Sequence, residues 1–196
     1  MRFKSMIVTT LAVLGLSSTV WAATYNVDVD HTAVTFKVRH LFSQTQGNFK
    51  KFEGVIEYEP GKPETWSTSG TIQVESIDTN VPERDKHLKS PDFFDVAKFP
   101  AITFKSTGVE NATETSAKLK GEMTMHGVTK PIVLDVQING AGSDPWGNMR
   151  AGFTATTKIN RKDFDIAWNQ TLDKGALMLG EEVQITLEIE ALNKKA

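Results

Sequence analysis

"HTAVTFKVRH", residues 31–40, decides the fold class. Val34, Phe36, Val38 and His40 fall on one face, and Thr35, Lys37 and Arg39 on the other. That period of two marks a strand with one side in a core. The same alternation recurs outward along the chain. "FEGVIEYE" (52–59) sets Phe52, Ile56 and Tyr58 against Glu53, Val55, Glu57 and Glu59. "GTIQVESI" (70–77) sets Ile72 and Val74 against Thr71, Gln73 and Glu75, and "AITFKST" (101–107) sets Ile102 and Phe104 against Thr103 and Lys105. "AKLKGEMTM" (117–125), "PIVLDVQI" (131–138), "RAGFTATTKI" (150–159) and "EEVQITLEIEA" (181–191) continue the pattern to the C-terminal region.

Eight alternating segments result, separated in places by turn signals at Pro60-Gly61, His126-Gly127, Asn139-Gly140 and Asp144-Pro145. No long stretch has the helical period. Short helix candidates are Pro82 to Lys89, which opens on proline, and the "SPDFFDVAKF" region, residues 90–99. Strands that are apolar on one face and polar on the other suit one antiparallel sheet that is wet outside. Eight of them close into a barrel or divide into a two-sheet sandwich, and periodicity does not separate the two. Closure removes every strand edge, which favours the barrel.

The N-terminus carries Arg2 and Lys4, an apolar run from Met6 to Leu16, and then "SSTVWAA". This is the layout of a secretory signal, with cleavage expected after Ala22. The apolar run is short for a bilayer span, which takes about 20 residues. The expected organisation is a removed signal peptide at 1–22 and a single barrel domain at 23–196. The leader takes two of the 22 basic residues and none of the 24 acidic ones, so 20 stand against 24 and the mature net charge is −4. That balance offers no basic face to nucleic acid. There is no cysteine, so an exported chain of this length is expected to fold on its core without disulfides.

Catalytic motifs are missing: no G-x-S-x-G elbow, no H-E-x-x-H and no phosphate loop. His31, His40, His87 and His126 lie on four separate segments without metal-ligand spacing, so no metal site is expected. His31 and His126 read as solvated residues near turns, and His40 as a hydrogen-bonded core histidine. The stretch "SIDTNVPERDKHLKSPDFFDVAKFP" (76–100) collects Arg84, Asp85 and His87 beside Leu88, Phe93, Phe94 and Phe99. It reads as a loop fixed by ion pairs over apolar side chains, as the rim of a pocket, or as an acid–base site.

The same stretch carries a family resemblance, together with "VDVDHTAVTFKVRHL", "GNFKKFEGVIEYE", "GEMTMHGVTKPIVLDV" and "DPWGNMRAGFTATTKINRKDF". These segments resemble the YceI-like family of bacterial periplasmic proteins over nearly the whole mature chain. Asp165 departs from the pattern, where many relatives carry a glycine-bearing turn. The resemblance implies an all-β, lipocalin-like eight-stranded antiparallel barrel with one or two short helices. It also implies an internal cavity that binds polyisoprenoids or isoprenoid-quinone-like amphiphiles, in a periplasmic carrier that is not an enzyme. Given such a cavity, strand-face alternation assigns its apolar lining to Phe36, Val38, Ile72, Val74, Phe104, Met123, Leu134, Val136 and Phe153. Phe93 and Phe94 would close its side. Arg84 and His87 would touch a head group at the rim, with Asp85 holding Arg84. The lipid is then the only ligand expected, with no cofactor, no nucleic acid and no stable membrane insertion; a homodimer stays open. The competing readings are an enzyme that modifies the lipid through Asp85 and His87, and a periplasmic interaction module without ligand.

Overall fold

The computed structural model describes residues 23–171 and 177–193. The signal peptide expected at residues 1–22 lies outside them. Eleven strands share one antiparallel sheet: β1 (Ala23–Val27), β2 (Ala33–His40), β3 (Ser43–Phe49), β4 (Phe52–Tyr58), β5 (Ser67–Gln73), β6 (Ile77–Asp78), β7 (Ala101–Glu110), β8 (Ser116–Met125), β9 (Val128–Ser143), β10 (Met149–Asn160) and β11 (Leu179–Asn193). One α-helix, α1 (Pro82–Lys89), and three 3-10 turns complete the described elements.

The sheet closes on itself. The ring runs β1, β4, β5, β7, β8, β9, β10, β11 and returns to β1 through Asn26↔Leu192 and Val27↔Ala191. The long strand β11 makes this closure work, because it serves two strands on the same edge. Its C-terminal end pairs with β1, and the rest pairs with β2 from Leu179↔His40 to Glu188↔Ala33. β1 and β2 therefore form one broken staff, as do β3 and β4, interrupted at Lys50 and Lys51. Eleven segments thus give an eight-stranded barrel, which removes the exposed edges that an open sheet would carry.

Three strands escape sequence alternation. β1 and β6 are short, and β3 is nearly all polar ("SQTQGNF"). Its inward positions, Thr45, Gly47 and Phe49, pair with Val38, Phe36 and Val34. The ring of Phe36 lies over Gly47, where a Cβ would collide with it, and Phe104 lies in the same way over Gly121 of β8. An aromatic ring from the neighbouring strand therefore supplies the apolar cover that glycine lacks.

Two local expectations change. Asn139-Gly140 is no turn: β9 continues to Ser143, and the register with β10 slips between Gly152 and Phe153, leaving Asn139 as the extra residue of a bulge. Gly140 has φ 143° there, a conformation glycine adopts freely. Residues 91–94 form turns instead of a second helix, with Phe93 N–H bonded to Ser90 O and Phe94 N–H to Leu88 O.

Candidate functional site

The barrel is hollow. An interior cavity of about 600 Å³ is walled by inward side chains from β2, β4, β5, β7, β8, β9, β10 and β11. Phe36, Ile72, Phe104, Ile132, Val183, Ile185 and Leu187 face inward with the core, yet each keeps accessible surface. That surface belongs to the internal void, since a filled barrel interior would bury them fully.

The two ends of this hollow differ. At one end Tyr25, Tyr58, Ile138, Ala151, Phe153 and Ala191 are all buried, with Trp66 packed against them. The Tyr58 ring meets Phe153 edge-on at 5.1 Å and Trp66 at 5.0 Å, and Trp66 Nε1 donates to Glu59 O at 2.6 Å. Burial pushes the Tyr25 and Tyr58 phenols above their ordinary pKa, so both stay neutral. Over this end, Arg150 binds Asp144 and Asp28 at 3.0 and 2.7 Å and also Glu190. Bonds from Asn148 and Arg150 bring the Asp144 pKa down to about 2 against the cost of desolvation. Asp28, His31 and Glu190 come within 4.8 Å of one another, as metal ligands would. The Arg150 guanidinium already occupies the carboxylates of Asp28 and Glu190.

The other end is built by α1, the 161–168 segment and the start of β11, and here charged side chains reach the cavity: Glu83, Arg84, His87 and Arg161, with His40 beside them. Val81 and Pro82 set the entry of α1. Proline is favoured at the first helical position, where its missing N–H costs nothing. Thr79 is buried and ties the helix down. Its N–H and Oγ1 donate to Asp85 Oδ1 at 2.9 and 2.5 Å, while Arg84 Nε and Nη2 donate to Thr79 Oγ1 and O, both at 2.8 Å.

Asp85 therefore does not hold Arg84. Neighbouring residues on a helix point about 100° apart, so the two meet only through Thr79. His87 takes a different partner, with Nε2 2.9 Å from Asp92 Oδ2, and its ring packs against Phe93 and Trp168, each at 4.9 Å. An acid–base pair of Asp85 and His87 is not assembled.

Of the apolar residues assigned to the wall, Phe36, Val38, Ile72, Phe93, Phe94, Phe104, Met123, Leu134, Val136 and Phe153 line the cavity. Val74 does not. β5 ends at Gln73, and Val74 begins a 3-10 turn, held by its N–H to Pro100 O at 2.9 Å. The turn rotates its side chain out of the strand alternation into packed core, where it is 1% exposed. Arg84 and His87 line the cavity and Asp85 does not.

Other lining residues went unassigned. Val183, Ile185, Leu187 and Ile189 alternate plainly in β11 and were readable as wall. Arg161 had no such signal. It is 4% exposed, and its guanidinium donates to the carbonyls of Gly180, Ile166 and Trp168, while Nη2 has no partner among the described residues. Burial lowers its pKa, with Glu181 opposing that shift. His40 is no hydrogen-bonded core residue: it lies half-buried on the cavity wall, and its ring has no hydrogen bond among the described residues. His31 keeps the exposed position expected of it, bonded to Asp28, whereas His126 is part-buried, with Nδ1 3.1 Å from Phe164 O.

A closed antiparallel barrel around an apolar hollow, with charge gathered at one end, defines a β-barrel binding protein. The model of the YceI-like domain matches residues 25–191, and the chain belongs to that family. It is 42% identical over 176 residues to a UPF0312 protein of Ectopseudomonas mendocina, covering 88% of this chain and 89% of the relative. It is 41% identical over 177 residues to the protein YceI of Salmonella arizonae, covering 89% of each. Among solved structures, a Campylobacter jejuni YCEI protein superposes with a TM-score of 0.71 at 29% identity, covering 97% of this chain and all of that one. A polyisoprenoid binding domain from Saccharophagus degradans shares the fold, with a TM-score of 0.66 at 12% identity over 88% of this chain and 99% of its own.

Proposed function

We propose that the protein is a soluble periplasmic carrier or reservoir for a long isoprenoid lipid, a polyisoprenoid or an isoprenoid-quinone-like amphiphile. The observation that carries this reading is the cavity itself. Its volume of about 600 Å³ falls within the range of about 300–1,000 Å³ typical of small-molecule sites. Its wall is mainly apolar along the barrel, with Glu53 and Glu57 on β4, and Glu83, Arg84, His87 and Arg161 gather at the α1 end. Burying apolar carbon gives about 0.8 kcal/mol per methylene, so a five-carbon isoprene unit contributes roughly 4 kcal/mol. A few enclosed units offset an association cost of about 4–15 kcal/mol. Arg84 and His87 are the side chains offered to a polar head at the rim. The solved barrel described as polyisoprenoid-binding supports the ligand class, and the N-terminal signal pattern supports export. Asp85 is engaged by Thr79, and that bond favours a binding role over proton transfer.

Native mass spectrometry of protein gently purified from its own host tests the reading. The expected spectrum carries the mass of the chain starting at Ala23 plus an apolar adduct that extraction identifies as prenylated. Protein of bare mass that also leaves an added prenylated quinone in the aqueous wash sinks the carrier.

A further inference from the structure

Arg161 is the most deeply buried charge at the α1 end of the hollow. It lines the cavity and is buried, while Lys162 and Asp163, beside it in the same 3-10 turn, are exposed. A guanidinium carries five N–H donors. Nε donates to Gly180 O at 2.9 Å, and Nη1 donates to Ile166 O at 2.7 Å and to Trp168 O at 2.8 Å. These bonds staple the end of β10 to the start of β11 and to the 166–168 segment. Nη2 takes no part in the staple. It is sealed from water and has no acceptor among the described residues.

A buried donor without an acceptor is costly, and more so on a charged group. Nor does a carboxylate pair with Arg161 among the described residues. Glu181, the acid whose charge acts on it, gives one oxygen to Lys162 and the other to Asn160. The other charged groups lining this end are Glu83, which is exposed, Arg84, bound to Thr79, and His87, facing Asp92. His40 stands opposite Leu179 in register, one residue from Gly180, and its ring is free of hydrogen bonds among the described residues. Around them Ile166, Trp168 and Leu179 make the wall apolar. Nη2 is thus a positive donor kept beside an apolar hollow, and it lacks the acceptor oxygen that a guest can bring.

We propose that Arg161 Nη2 holds an acceptor oxygen of the lipid head inside the α1 end, so that the tail runs toward the Tyr58 stopper. This role rests on the carrier reading and deepens it, because it fixes the direction of the lipid and names the residue that selects an oxygen-bearing head. Nη2 is sealed, so the oxygen reaches it as wall side chains shift, a rotamer-scale change common on binding. A quinone carbonyl and a prenyl phosphate share the acceptor chemistry. Affinities of the wild type and Arg161→Met are therefore compared for a geranylgeranyl naphthoquinone, geranylgeranyl phosphate and the matching oxygen-free hydrocarbon. The preference for the oxygen-bearing ligand over the hydrocarbon is expected to fall about tenfold to a hundredfold in Arg161→Met. The ligand that loses its preference identifies the head. A merely structural arginine would weaken all three ligands alike. Should Arg161→Met fail to fold, proton–nitrogen NMR of the wild-type arginine side chains reads the same bond. The Arg161 Nη2 protons should move downfield with an oxygen-bearing ligand and stay with the hydrocarbon. A preference that survives Arg161→Met overturns the role and leaves the carrier standing. So does an Nη2 signal that ignores both oxygen-bearing ligands, which would give the donor to a buried water. Failure of all three ligands to bind the wild type sinks the carrier, and the role of Arg161 with it.

Discussion

The two ends of the barrel are made from the same strands and do opposite things. At the Tyr58 end, aromatic rings interlock and Arg150 straps two turns together, so the hollow is stoppered by packing. At the α1 end, the wall is capped by a short helix of two turns whose hold on the barrel passes through the buried hydroxyl of Thr79. One end is closed by interlocked rings, and the other by the Thr79 bonds together with Leu88 of α1 packed on the main core. Dispersed apolar packing is hard to undo locally, whereas a two-turn helix without a fully buried side chain opens at lower cost. The contrast explains how a single small barrel stays stable while leaving one end adaptable to a guest.

Equivalent truncations break this comparison most directly. Phe153→Ala at the stoppered end is expected to cost about 3–5 kcal/mol in urea unfolding, because its ring borders the hollow yet is buried against Tyr58. Phe36→Ala already has one side of its ring on the hollow, and should cost about 1–2 kcal/mol. Equal costs would mean that the cavity is no softer than the plug.

Next in size is the lid. Thr79→Val removes the hydroxyl that Asp85 and Arg84 share and leaves only their bonds to the backbone of residue 79, and about 1–3 kcal/mol should be lost. Hydrogen exchange should report it as faster exchange across Pro82–Lys89 with little change in β8, β9 and β10; uniform acceleration would deny that the lid is a separate unit.

The stoppered end has a pH signature. Asp144, at about 2, and Asp28, also lowered, mainly by Arg150, have folded values below their unfolded ones. Their stabilisation is therefore complete above the ordinary carboxylate range near pH 4 and is lost as pH falls through the folded values. Trp146 fluorescence should stay flat from pH 7 to about 4 and change between about 4 and 2. Arg150→Met should move that change upward.

The smallest effect concerns Asp165, which holds φ 58° after the Arg161 turn. Glycine adopts this conformation without the Cβ penalty, and Asp165→Gly is expected to add about 0.5 kcal/mol and raise Tm by about 1–2 °C. A lower Tm would assign the aspartate side chain a structural role.

Much of this was legible in the residues. The helix at Pro82–Lys89 announced itself by its proline and its charges, and eight alternating segments announced the barrel staves. β3 did not, because Gly47 and Thr45 carry no apolar signal; its cover comes from Phe36 across the hydrogen bonds. Val74 misled because alternation assumes that the strand continues, and a 3-10 turn had already begun. Arg161 is a lone arginine after a strand, and only the converging carbonyls of Gly180, Ile166 and Trp168 give it meaning.

The sequence by itself determined the class, because side-chain period is a local property and each stave carries its own copy of it. It left the ligand to what the family resemblance implies, since an apolar strand face suits a packed core as well as a hollow one. Tertiary structure alone decided that the interior is hollow, which end is stoppered and which is charged, and that Arg84 and Asp85 meet only through Thr79. Those facts depend on distances between residues far apart in the chain, and such distances exist only once β11 has bridged β1 and β2 and the sheet has closed.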